Sequence, residues 1–297
     1  MGRRLAKLAL TATLAFGLFK AVDAAAPAPR MTPIFNTATD TDPKTQPPRE
    51  YRLDNLPAPD AAQKNLWRVR IGAWEMAGGG HHTFLEFSPV CAPDTACRDR
   101  NDVYQIHGIA MDETRQAYAQ LDFMKLDSYT RYESGDYVLK ALGVNQDYNR
   151  HFFRQQPDAY VDVFYGSKED VLKLYLAGMK IVDGVNKTND HYLLFEHNSN
   201  SVQHTLLEGL GLSMPPLYVD HKMTALGGRI WCPGIGLSLL PDGWNRERVL
   251  QDGGYNNMSA DDLEKAARKL SGPERMFATF KPQPSTPKTP PVHGPAA

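Results

Sequence analysis

The residues with the best claim to covalent chemistry lie in one short stretch, His197-Asn198-Ser199-Asn200-Ser201. It follows the apolar run Tyr192-Leu193-Leu194-Phe195. It leads into Val202, Leu206 and Leu210, a stripe whose spacing predicts a helix over about residues 200–210. Ser199 would stand at that helix start, beside backbone N–H groups with no helical acceptor and at the positive end of the helix dipole. Such groups can stabilise the oxyanion formed when a serine attacks a carbonyl, with Asn198 and Asn200 around it. Ser and Asn are also ordinary helix caps, so Ser199 or Asn200 could simply bond N–H groups two or three positions on. A serine hydroxyl further needs a base. His81 and His82 follow Gly78-Gly79-Gly80 at the mouth of the strand Thr83-Phe84-Leu85-Glu86-Phe87, and His107 lies within Tyr104-Gln105-Ile106-His107-Gly108-Ile109-Ala110. If the two strands pair, His82 could take the proton while His107 orients it through a ring-to-ring hydrogen bond. A lone histidine in a strand is more often a packed or surface residue.

In chain order these are a His-led apolar strand (His82-Thr83-Phe84-Leu85), a polar residue on a following strand (His107), and an Asn198-Ser199-Asn200-Ser201 elbow at a helix start. That order resembles the circularly permuted papain-like superfamily of cell-wall peptidases, deubiquitinase-like peptidases and lecithin:retinol acyltransferase-like enzymes. The resemblance implies a papain-like α+β fold, in which a small antiparallel sheet packs against a helix with the nucleophile at its N-terminus. It implies Ser199 in the place usually held by Cys, His82 as base and His107 as the orienting residue, with no cofactor. A peptide or other amide or ester would be the substrate, and peptidoglycan stem peptides are a natural class for an exported member. The serine departs from the family pattern. A helix start and an imidazole stabilise a thiolate at neutral pH, whereas a hydroxyl must lose its proton in the transition state. The frame therefore admits an active Ser-His hydrolase, an inactive module that binds the cell envelope, or an acyltransferase or phospholipase.

The elements that must position these residues are visible in outline. Trp67-Arg68-Val69-Arg70-Ile71 alternates like a half-buried strand, Thr83–Phe87 and residues 103–110 predict two more, and 121–125, 137–142 and 160–165 are weaker candidates. Ser167 with Asp170 reads as a capping pair for a helix carrying Val171, Leu174, Tyr175, Met179 and Val182, with Gly184 at its C-terminal end. Ser259 with Asp262 caps another helix that stops before Ser271-Gly272-Pro273. Strands and helices of this kind place the chain in the α+β class.

The rest of the chain supplies context. Arg3, Arg4 and Lys7, the 12-residue apolar run Leu8–Phe19 and small residues to Ala24 read as a signal peptide over 1–24, too short to span a bilayer, which takes about 20 residues. A Pro/Thr-rich linker is expected over 25–62, one domain over 63–280 and a Pro-rich disordered tail over 281–297. The protein would then be periplasmic or secreted, with no integral membrane segment after signal removal. A net charge of −1 without a long basic run argues against a nucleic-acid partner. Cys91 and Cys97 flank a turn-rich stretch that suits a small disulfide loop, leaving Cys232 over. The absence of a Cys-x-x-Cys or His-x-x-x-His pair argues against zinc. Asn186-Lys187-Thr188 is a glycosylation sequon by pattern alone.

Overall fold

A computed structural model describes residues 31–34, 49–53, 55–56, 66–75, 81–90, 102–112, 117–118, 137–147, 157, 159–193, 197–215 and 238–272. The strands are β1 (Met31–Ile34), β2 (Arg49–Leu53), β3 (Trp67–Glu75), β4 (His81–Pro89), β5 (Tyr104–Asp112), β6 (Ala117–Tyr118), β7 (Val138–Asn145) and β8 (Ala159–Gly166). They form one sheet in the order β1-β2-β8-β3-β4-β5-β6, with β7 also paired to β5. All pairs are antiparallel except β2 with β8. The helices are α1 (Lys168–Thr188), α2 (Ser199–Gly209), α3 (Arg246–Asp252) and α4 (Ala260–Leu270), with a 3-10 turn at Tyr255–Asn257. The architecture is α+β, with a mixed sheet.

Side-chain alternation divides the sheet into two unlike faces. Trp67, Val69, Ile71 and Ala73 of β3, Leu85 and Phe87 of β4, and Tyr104, Ile106 and Ala110 of β5 share one hydrophobic core with α1 and α2. The intervening positions carry Arg68, Arg70, His82, Glu86, Gln105 and His107, which are also buried or nearly so. Helix α1 crosses the apolar face with Leu172, Tyr175, Leu176 and Met179 buried. Burying each such side chain contributes roughly 1.5–3 kcal/mol. Its start is the expected capping box: the Ser167 hydroxyl accepts from the Asp170 N–H at 3.1 Å, and the Asp170 carboxylate accepts from the Ser167 N–H at 3.2 Å. The helix does not stop at Gly184. It runs on to Thr188 and ends at Asn189, in the left-handed conformation at φ 55°. Gly184 instead serves close packing, because a Cβ there would fall 2.6 Å from Pro241 Cγ.

The expected linker over 25–62 contains sheet structure. Met31–Ile34 and Arg49–Leu53 are strands, and Arg49–Arg52 pairs in parallel with Ala159–Asp162. Prolines on either side bias composition toward a linker, yet Tyr51 and Leu53 alternate with Glu50 and Arg52, and Leu53 is 2% exposed in the core. The expected disulfide pair Cys91 and Cys97, the leader over 1–24, the tail over 281–297 and the candidate strand over 121–125 lie outside the described residues. Among the described residues, no helix is long and apolar enough to cross a membrane.

Candidate functional site

The elbow forms at a helix start, as its sequence predicts, with the N-cap at Asn198 rather than at Ser199 or Asn200. Asn198 is extended (φ −139°, ψ −170°), and its side chain accepts from the N–H groups of Asn200 at 2.8 Å and Ser201 at 3.2 Å. The Ser201 hydroxyl accepts from the Asn198 N–H at 2.9 Å, closing a reciprocal capping box. These bonds occupy the N–H donors that an oxyanion would need.

Asn200 does different work. The β4–β5 ladder runs from Phe87↔Tyr104 to Phe84↔His107 and stops there. Beyond it the tip of α2 stands where the next cross-strand pairs would be. The Asn200 Oδ1 accepts from the Thr83 N–H at 3.1 Å and from the Thr83 hydroxyl at 2.8 Å, and its Nδ2 donates to the His81 carbonyl at 3.1 Å. The side-chain amide thus replaces the missing strand for two buried backbone groups of β4. Gly108 on β5 makes the approach sterically feasible, since a Cβ there would lie 2.7 Å from the Ser199 Cα. Further along α2, the Gln203 amide donates to the Ile106 carbonyl at 3.1 Å. Ser199 is 5% exposed, and both its hydroxyl and its backbone N–H hydrogen-bond the buried Tyr192 phenol. Burial raises the Tyr192 pKa, and the two Ser199 bonds oppose that rise.

The two expected histidines do come together. His82 Nε2 and His107 Nδ1 are 3.2 Å apart, with the rings nearly parallel at 6°. Trp74 and Phe84 pack against them, at centroid distances of 4.7 Å from Trp74 to His82 and 5.0 Å from Phe84 to His107. The chain of contacts continues. His107 Nε2 meets Gln105 Oε1 at 3.0 Å, Gln105 Nε2 donates to Glu86 at 2.9 Å, and Arg70 Nε donates to the same carboxylate at 2.8 Å. Tyr160 donates to Glu86 at 3.2 Å, and the Arg70 guanidinium lies 3.5 Å above the Tyr160 ring. Burial by itself would raise the Glu86 pKa, but Arg70 and the Gln105 amide hold it below the usual value, so Glu86 is ionised. An ionised carboxylate only accepts. Gln105 must therefore turn its NH₂ to Glu86 and its oxygen to His107. That places the neutral His107 proton on Nε2, so His107 Nδ1 accepts from His82 Nε2–H. The remaining lone pair of the chain falls on His82 Nδ1, which has no hydrogen-bond partner among the described residues. Burial lowers the pKa of His82 to about 4 and that of His107 well below its usual value.

This network does not meet Ser199. His82 and His107 project from the face opposite α2, as their contacts with Trp74, Phe84 and Gln105 require. Thr83 and Gly108, one residue along, face the helix tip. No hydrogen bond joins Ser199 to either imidazole. The expected Ser199–His82 pair is therefore corrected: the sheet separates the two groups, because neighbouring strand residues point to opposite faces. By the same parity, His81 shares the helix face with Thr83. Alternation in the sequence carried this signal, since His82 has the parity of Glu86 and His107 that of Gln105, away from the apolar set Leu85, Phe87 and Ile106.

Sequence reasoning passed over Tyr192, Thr83, Gln105, Glu86 and Arg70, whose types alone are unremarkable. Asp162 is 2% exposed and bonded to Arg68 and Tyr165. The sequon residue Asn186 is a structural link. Its side chain accepts from the Ala141 N–H at 2.7 Å and donates to the Ala141 carbonyl at 2.8 Å, continuing the edge of β7. No protein-family model matches the chain, and neither a curated protein nor a solved structure matches it.

Proposed function

We propose that this is an exported, catalytically inert binding domain of the cell envelope, built on a frame related to the papain-like hydrolases. The observation that carries the proposal is the use made of the elbow. Asn198 and Ser201 cap α2, Asn200 ties it to β4, and Ser199 is bonded to Tyr192. The polar groups of the elbow that a hydrolase would aim at a substrate are thus engaged in holding the fold. The relation to papain-like frames rests on the order of the histidine strand, the second polar strand and the elbow helix. Export rests on the leader pattern, and an envelope ligand follows from export. The test is labelling of the intact chain with a serine-reactive fluorophosphonate, beside a Ser199→Ala variant. No Ser199-dependent labelling is expected, and robust labelling lost in Ser199→Ala would overturn the proposal.

One observation favours a second reading, amide or ester hydrolysis by water activated at His82. The bond order fixed by Glu86 leaves a lone pair on His82 Nδ1, which is the arrangement of an oriented general base. A pKa of about 4 makes that base weak at neutral pH, so the binding reading is preferred. Hydrolysis retained in Ser199→Ala and lost in His82→Gln would reverse the preference.

A further inference from the structure

The outer side of α1 carries a groove away from both polar clusters. Lys180, Asp183, Gly184, Lys187 and Thr188 line one side, Pro241 and Trp244 the other, around a volume of about 530 Å³. Three features make it a defined shape. Gly184 lets Pro241 approach α1 more closely than any side chain there would allow. Trp244 is fixed by its indole N–H, which donates to the Gly209 carbonyl at 2.8 Å, and its ring is partly buried against the core with an edge open to the groove. Lys180 and Lys187 are exposed and seven residues apart on one helix, a separation of about 10 Å along the axis.

We propose that this groove binds an anionic glycan, one sugar ring lying against Trp244 and its acidic groups reaching the ammonium groups of Lys180 and Lys187. The apolar face of a pyranose ring suits an indole wall, and a rigid aromatic anchor loses little conformational freedom on binding. Two lysines spaced by about 10 Å match acidic substituents on alternate sugars of a chain rather than one small anion. Asp183 lies between them on the same side of the helix. It offsets part of their charge, which favours a polyhydroxylated ligand over a bare polyanion. The overall charge of −1 gives the rest of the surface no general attraction for anions, so binding would depend on this patch. The ligand class deepens the binding-domain reading and rests on it.

Titration of the full chain with a muramic-acid-containing tetrasaccharide, which carries an acidic group on every second sugar, with the neutral N-acetylglucosamine tetrasaccharide and with inorganic phosphate tests the proposal. Tryptophan fluorescence and calorimetry report binding. Saturable binding of the acidic tetrasaccharide is expected, weakened about tenfold in Lys180→Ser/Lys187→Ser and again in Trp244→Phe, with unchanged melting of the lysine variant. Phosphate alone or the neutral sugar is expected to bind far more weakly. Equal binding of neutral and acidic sugars overturns the role of the lysines. Binding of native protein that neither variant alters overturns the groove while leaving the binding-domain reading in place. Absence of any glycan binding overturns the groove outright, whereas Ser199-dependent probe labelling would sink the inert-domain reading without touching the groove.

Discussion

Replacing Asn200 with Ala separates a structural elbow from a catalytic one. The side chain makes three hydrogen bonds to β4, to the Thr83 N–H, the Thr83 hydroxyl and the His81 carbonyl, at a residue that is 2% exposed. The Thr83 hydroxyl can rotate toward another acceptor. The two backbone groups cannot move, because they lie beyond the last β4–β5 pair and α2 excludes a replacement strand. Each buried backbone group left without a partner costs about 1–3 kcal/mol, so the variant should lose about 3 kcal/mol. With a urea dependence of about 2 kcal/mol per molar, the unfolding midpoint falls by about 1.5 M at unchanged slope. Ser199→Ala removes only the hydroxyl bond to Tyr192 and should cost about 1 kcal/mol, or about 0.5 M. Urea unfolding followed by circular dichroism measures both variants. Had the elbow been built for catalysis, Asn200 would be expendable to stability. A midpoint shift for Asn200→Ala no larger than that for Ser199→Ala would refute its role as a surrogate strand.

Two further outcomes follow from the same geometry. The folded-state pKa of His82, about 4, lies below its ordinary 6.5 because burial disfavours the cation. Above pH 6.5 both states are neutral and nothing is lost. Between 6.5 and 4 the unfolded chain takes a proton that the folded chain refuses, so stability should fall by up to roughly 3 kcal/mol from this ring alone. His82→Gln should flatten that part of the decline, and identical acid dependence in urea midpoints at pH 7 and pH 5 would contradict the burial argument. Gly108→Ala puts a Cβ 2.7 Å from the Ser199 Cα and 2.9 Å from the Val202 Cβ, contacts that only a shift of the helix backbone can relieve. A loss of about 2 kcal/mol is expected in thermal melting, and an unchanged melting temperature would mean that α2 does not rest on β5.

Local sequence carried the elements because each element satisfies its own backbone and shows its own period. Ser167 with Asp170 and Ser259 with Asp262 mark helix starts that lie at Lys168 and Ala260. Trp67, Val69 and Ile71 mark the buried side of β3, and the Asn-Ser-Asn-Ser stretch marks the start of α2. What local sequence could not carry was which groups meet across more than a hundred residues. His81 and His82 are equal as sequence. Pairing of Trp74 with His82 and of Ala73 with Thr83 turns one histidine toward α2 and the other toward His107, and a slip of one residue would exchange them. The short strand Arg49–Leu53 was likewise hidden among prolines, since its partner β8 lies about 110 residues on and backbone pairing leaves no compositional trace. The buried line His82-His107-Gln105-Glu86-Arg70 depends on three strands lying side by side. Periodicity is a property of single elements. The meeting of a hydroxyl and an imidazole is a property of register, which only tertiary packing settles.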